Sequence, residues 1–204
     1  MIALINLGNS NIQSVINALD HLSINYIKTD KIDDLKECDK MILPGVGTFG
    51  NGISKLKELN LFDTIKKEVV NNNKPILGIC LGMQMLFESS EESNGVSGLG
   101  LIKGKVVPLP LSKKYKIPRI GWADSKLNFD FLGLKKNQNT DLYYIHSYYV
   151  KPNDLSIVAI ETDIQLTSAI KYQNIYGCQF HPEKSHVSGL NIINAFAKLE
   201  GGQV

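Results

Sequence analysis

Nowhere in the 204 residues does an apolar run approach the ~20 residues that a membrane span requires. The N-terminus, M-I-A-L-I-N-L-G-N-S-N, lacks the basic n-region of a signal peptide and meets Gly8 after a short apolar run. It reads as a buried first strand. Cysteine is scarce: Cys38, Cys80 and Cys178 are an odd number without C-x-x-C spacing. That argues against a disulfide framework or structural zinc and for a reducing compartment. Cationic side chains exceed anionic ones by only two, a net charge of +2, so composition gives a nucleic-acid role no support. The expectation is a cytoplasmic protein with no membrane or nucleic-acid partner. Repeats, low-complexity segments and linkers are also missing, which favours one domain over residues 1–204.

What is present is ordinary globular composition, 43% hydrophobic and 21% charged. Residues 1–7 read as a strand, and 12–22 carry apolar residues at helical spacing after a G-N-S-N turn. Further strands are expected at 25–28, at 40–45 ending in a Pro-Gly break, and at 75–79. Helices are expected at 53–73 and 81–89. This alternation implies βαβ units, a mainly parallel sheet with helices on both faces. The second half changes to short strands at 101–109, 117–122, 142–151, 155–161, 166–172 and 175–180, with a helix at about 189–199. The expected fold is therefore α/β, extended by antiparallel strands.

G-I-C-L-G at 78–82 follows an apolar strand and precedes a helix, the thiol counterpart of a nucleophile elbow. A strained strand-to-helix turn needs small neighbours, and the helix start beyond it offers free N–H groups that favour a thiolate and an oxyanion. The alternative is that Cys80 merely packs, as buried cysteines often do. A thiol nucleophile needs a base and an orienter for that base. Among His21, His146, His181 and His186, His181 stands out, since it follows the strand I-Y-G-C-Q-F and has Glu183 two residues on. On extended backbone the two would project to the same side, and Pro182 restricts His181 to extended conformations. A metal site from His181, Glu183 and His186 is the competing reading, but no further pair has metal-ligand spacing. The zinc deaminase pattern, which needs P-C-x-x-C after H-x-E, is absent.

Two loops complete the candidate features. P-G-V-G-T at 44–48 puts two glycines at the end of a strand, where backbone N–H groups can approach a ligand. In a parallel sheet it lies on the same edge as Cys80. K-K-Y-K-I-P-R at 113–119 is either a solvated loop or a docking patch for an acidic surface.

On these motifs the chain resembles the class I glutamine amidotransferases. Within that family it is similar to the branch of glutaminase subunits that serve imidazole glycerol phosphate synthase. The resemblance runs end to end through G-N-S-N-I-Q-S-V, L-P-G-V-G-T-F, G-I-C-L-G-M-Q, S-E-E, G-L-G-L, G-W, H-S-Y-Y and Q-F-H-P-E-K-S. It implies a flavodoxin-like α/β domain with no cofactor and no metal, hydrolysing L-glutamine to glutamate and ammonia. Cys80 would be the nucleophile, His181 the general base and acid, and Glu183 its orienter. Gly45, Val46, Gly47 and the Leu81 amide would bind the oxyanion, and Gln84, Ser147 and Tyr148 the substrate. His146 would be a support residue. Asn9, Trp122 and Lys184 would face a (β/α)8-barrel cyclase forming a heterodimer. That partner would receive ammonia to make imidazole glycerol phosphate and AICAR in histidine biosynthesis, and a flip of the 45–47 backbone would gate the glutaminase. The family pattern P-H-x-G-W-N is P-R-I-G-W-A here, so Arg119 and Ala123 depart from it, in a region expected to face the partner. The segment before the final strands, E-T-D-I-Q at 161–165, departs as well. A paralogous subunit that feeds the amidination of a surface sugar is the alternative. A cysteine hydrolase of the same architecture is the more distant one.

Overall fold

The computed structural model describes residues 1–8, 12–154, 158–161 and 164–199, with backbone alone at 158–161. A seven-stranded sheet organises the molecule. Its parallel part comprises β1 (Ile2–Ile5), β2 (Tyr26–Thr29), β3 (Lys40–Gly45), β4 (Ile76–Cys80) and β12 (Ile175–Cys178). Antiparallel β11 (Leu166–Tyr172) and β10 (Val158–Glu161) extend one edge, giving the order β10-β11-β12-β4-β3-β1-β2. A second sheet joins β5 (Phe87–Ser90), β6 (Ile102–Pro108) and β9 (Tyr148–Pro152). A ribbon pairs β7 (Arg119–Ser125) with β8 (Thr140–His146).

The near-continuous apolar strands of the first half follow from burial on both faces. Alternate residues of β1 and β3 enter opposite cores. Ala3, Ile5, Met41 and Leu43 face one, while Ile2, Leu4 and Ile42 face the other. Helices α2 (Ile32–Glu37), α3 (Phe49–Glu58) and α4 (Leu61–Val70) cover the first core through Leu35, Ile53, Leu56 and Ile65. Helices α1 (Ile12–His21) and α6 (His186–Ala197) cover the second through Val15, Leu19, Ile192 and Phe196. Among the described residues no helix is long and apolar enough to cross a membrane.

Four expectations shift. The periodic stretch 53–73 is two helices, broken where Asn60 takes a left-handed φ of 58°, a conformation asparagine tolerates better than most residues. The short α2 was not expected; six residues give too little periodicity to read. The helix expected at 81–89 stops early as α5 (Leu81–Met85), because Phe87–Ser90 pairs with β6 instead. The strand expected at 142–151 divides at Ser147, and its halves join different sheets.

One buried ion pair ties the open ends of these elements. Lys74 and Glu68 lie 3.0 Å apart and are almost fully buried. The Lys74 ammonium also donates to the carbonyls of Leu35 and Lys36 at the end of α2, where partial negative charge collects. Asn174 completes the knot by donating to the Val69 and Lys74 carbonyls at 2.9 Å each. Burial pushes the Glu68 carboxyl up, but hydrogen bonds from Asn72 and Lys74 and the Lys74 charge outweigh it and hold the group low. Its contribution is therefore complete above the ordinary value of 4.5 and fades as pH falls through the depressed one. Lys74→Met leaves Glu68 buried without its cation and is expected to lower the unfolding free energy at pH 7 by roughly 3 kcal/mol. Urea denaturation measures this.

Candidate active site

Cys80 ends β4 and caps α5 with φ 54° and ψ −109°, a region in which L-residues carry ~1–3 kcal/mol of strain. The conformation survives because its neighbours are packed without slack. A Cβ on Gly82 would stand 1.7 Å from the Leu43 carbonyl oxygen, and one on Gly78 would stand 2.6 Å from the Met83 nitrogen. G-x-C-x-G is thus a packing requirement as well as a conformational one. Parallel pairing supplies the company. Gly45 is the register partner of Cys80 on β3, while β12 on the other side leads directly to His181.

His181 Nδ1 lies 2.7 Å from Glu183 Oε1, and the ring shares the cleft with Cys80. With Nδ1 committed to Glu183, Nε2 is the nitrogen left for sulfur. Burial pushes the imidazole pKa down, but the hydrogen bonds to Cys80 and Glu183 and their negative charge prevail and raise it to about 10. An ion pair beside a thiol is the arrangement that activates a sulfur nucleophile. The route to it differs from the expected extended backbone. His181 is extended (φ −98°, ψ 97°), as Pro182 demands, but Pro182–Lys184 form a 3₁₀ turn, and Glu183 meets the ring across that turn. Ser185, not anticipated as a site residue, holds the turn. Its hydroxyl donates to the His181 carbonyl at 2.7 Å and accepts from the Tyr143 N–H at 3.0 Å. The ring of His186 stacks on Trp122, with centroids 4.4 Å apart. Among the described residues no His, Cys, Asp and Glu group could hold a metal.

A cleft of about 290 Å³ opens over Cys80. Val46, Gly47, Leu81, Gln84, Ser147, Tyr148, His181 and Lys184 line it, as do Glu92 and Ile145, which were not anticipated as site residues. Gly45 sits behind Leu81, in close contact with it. The Glu92 carboxylate accepts from the Phe49 N–H at 2.7 Å, and the Ser93 hydroxyl from the Gly50 N–H at 2.9 Å. The S-E-E-S segment therefore caps α3 and anchors the 45–48 loop. Gln84 Nε2 donates to the Tyr148 carbonyl at 3.0 Å and to Gln179 Oε1 at 3.1 Å. His146 Nδ1 lies 2.9 Å from the same carbonyl, which fixes the proton on that nitrogen. Burial, helped by the charges of Arg119 and His181, depresses the His146 pKa to about 4 against the opposing effect of that bond. His146 is neutral.

On the face beside the cleft, half-exposed Trp122 meets the Tyr143 ring edge-on at 5.5 Å, and Lys184 Nζ lies 5.7 Å over that ring. Asn9 lies outside the described residues. Arg119 corrects an expectation. It is buried rather than turned to a partner, with its guanidinium 3.8 Å from the centre of the Tyr144 ring. Tyr144 in turn bonds Ser125 and Ser168. Ala123 is half-buried against the core. Residues 113, 114 and 116–118 are exposed.

The family model for glutamine amidotransferase class-I matches residues 3–198. The imidazole glycerol phosphate synthase subunit HisH 2 of Methanococcus maripaludis is 42% identical over 201 residues, covering 97% of this chain and 99% of its own length. Subunit HisH of Pyrococcus furiosus is 42% identical over 204 residues (97% of this chain, 98% of its own length), and that of Bacillus subtilis is 37% identical over 209 residues (100% and 98%). In fold, the chain matches a solved glutamine amidotransferase with TM-score 0.75 at 17% identity, over 96% of each chain. It also matches the acivicin-bound glutaminase domain of Trypanosoma brucei CTPS with TM-score 0.64 at 18% identity, over 98% of this chain and 94% of that one.

The His181 pKa tests the electrostatics directly. Glu183→Gln removes the carboxylate charge and should lower that pKa, read by nitrogen-15 NMR of the imidazole. Because the folded value is raised, the interaction stabilises the fold fully below the ordinary 6.5 and is lost as pH rises through about 10. The stability difference between wild type and Glu183→Gln should therefore shrink over that interval.

Proposed function

The chain belongs to the class I glutamine amidotransferase family, and from that premise we propose that it is the glutaminase subunit of an imidazole glycerol phosphate synthase. It releases ammonia from L-glutamine for histidine biosynthesis. The observation that carries the chemistry is Cys80 and His181 side by side in one cleft, with Glu183 bonded to the far side of the imidazole. Full-length similarity to synthase subunits supports the pathway.

In this mechanism the Cys80 thiolate attacks the side-chain amide carbon of glutamine. The oxyanion is met by backbone N–H groups at Leu81 and in the Gly45–Gly47 loop, donors worth about 10²–10³ each in rate. His181 gives its proton to the departing ammonia, then takes one from the water that hydrolyses the glutamyl thioester. Glu183 keeps the ring oriented through both steps. Both N–H groups of Gln84 are occupied by Tyr148 and Gln179, so its carbonyl oxygen remains to receive the substrate's ammonium. Ser147 and Tyr148 border the same end of the cleft. Ammonia passes to a (β/α)8-barrel cyclase seated on the face marked by Trp122 and Lys184, with Asn9 contributing to that contact. The complex works in the cytoplasm and draws on no cofactor.

Cys80→Ala should lower glutamine-dependent synthesis by on the order of 10⁴ or more, while ammonia-dependent synthesis by the same complex persists. Loss of both in a folded variant would break the division of labour. Addition of the histidine-pathway cyclase with a substrate analogue should strongly stimulate glutaminase turnover; no stimulation would point to another acceptor system.

A further inference from the structure

The geometry points to Gln179 as a third determinant of Cys80 reactivity: its side-chain amide, held in one orientation by Gln84, donates a hydrogen bond to the nucleophilic sulfur. Gln179 Nε2 lies 3.6 Å from Cys80 Sγ, and the side chain is completely buried. The role rests on Cys80 being the nucleophile of the proposed glutaminase.

The amide orientation follows from a chain of obligatory pairings. The Tyr148 carbonyl can only accept, so the group that Gln84 turns to it must be NH₂. That same NH₂ is 3.1 Å from Gln179, so Gln179 must present its oxygen there. Its own NH₂ is then left facing sulfur. The Gln179 side chain is fully buried, and flipping either amide would set two acceptors, or two donors, against each other. The orientation of an amide near a thiol is thus set by a backbone carbonyl two links away.

Cys80 Sγ consequently sits between opposing demands. The Ile145 carbonyl, 3.5 Å away, accepts from the sulfur and favours the protonated thiol. Gln179 donates and favours the thiolate, as does the His181 imidazolium. Unlike His181, Gln179 carries no proton to give up and keeps its donor through the whole cycle. It stabilises thiolate before attack and again when the thioester collapses and sulfur departs, so it assists both acylation and deacylation. It also ties the nucleophile to Gln84, whose free carbonyl faces the substrate.

Gln179→Met keeps the volume and removes the donor. In the folded full-length variant the pH midpoint for alkylation of Cys80 by iodoacetamide, followed by mass on the Cys80 peptide, should rise by about one unit, with roughly tenfold slower alkylation below the midpoint. A purely structural role would lower thermal stability and leave the midpoint alone. The wild-type chain gives an independent reading that needs no folded variant. The Gln179 side-chain amide resonances should titrate with Cys80 and cease to do so in Cys80→Ala. A wild-type midpoint in folded Gln179→Met overturns the inference, as do Gln179 resonances that stay fixed while Cys80 ionises. Neither readout uses glutamine, so a failure of the glutaminase reading would appear in turnover assays and leave this test standing.

Discussion

The backbone at Cys80 is the constraint on which the site depends. A positive φ at a non-glycine residue is held by the surrounding packing, here the first turn of α5 pressed against the Leu43 carbonyl. That contact exists because β3 and β4 are hydrogen-bonded neighbours in register, Gly45 against Cys80. The sheet therefore does more than support Cys80. It fixes the turn, brings the 45–48 loop alongside and delivers His181 from β12 on the opposite flank. Three segments distant in sequence meet because their strands are consecutive in the sheet.

A second ordering principle is electrostatic, and it divides the histidines. His146 and His181 are both buried, and burial alone pushes both towards the neutral form. His181 is bonded to the Glu183 carboxylate and is raised; His146 has only a carbonyl, faces two cations and is lowered. The neutral one serves as a rigid donor to Tyr148 and helps position the strand that borders the cleft. The charged one is held in the cleft by its bond to Glu183. The same residue type takes opposite roles because of what stands within a few ångströms of the ring.

Much of this was legible in the sequence, for physical reasons that also explain the gaps. The doubly buried strands and the G-x-C-x-G turn impose strong local patterns, so fold class and the strand-to-helix turn at Cys80 could be read from the sequence. The contact between His181 and Glu183 was legible in their spacing, although the backbone between them turns rather than staying extended. What escaped were residues whose role is defined by a distant partner. Ser185 matters because of Tyr143, Glu92 because of the α3 N–H groups, and Gln179 because of Gln84 and Cys80. Arg119 reads as a surface cation at the end of a basic stretch, and only the placement of the Tyr144 ring turns it inward. Helix α2 escaped because six residues carry too little periodicity.

The loop over Cys80 combines fixed ends with a loose middle. Gly45 is held in the sheet ladder and packed behind Leu81. Thr48 begins the cap of α3, whose first N–H groups are tied to Glu92 and Ser93. Between these anchors Val46 is substantially exposed, and Gly47 takes φ 97° with open space where a Cβ would lie. Backbone rearrangement here can be confined to the peptides around 46 and 47, since motion beyond them would break ladder or cap hydrogen bonds. A backbone change confined to those peptides leaves the His181–Glu183 hydrogen bond untouched. The loop and the His181 turn lie on either side of Cys80, yet they rest on different hydrogen bonds.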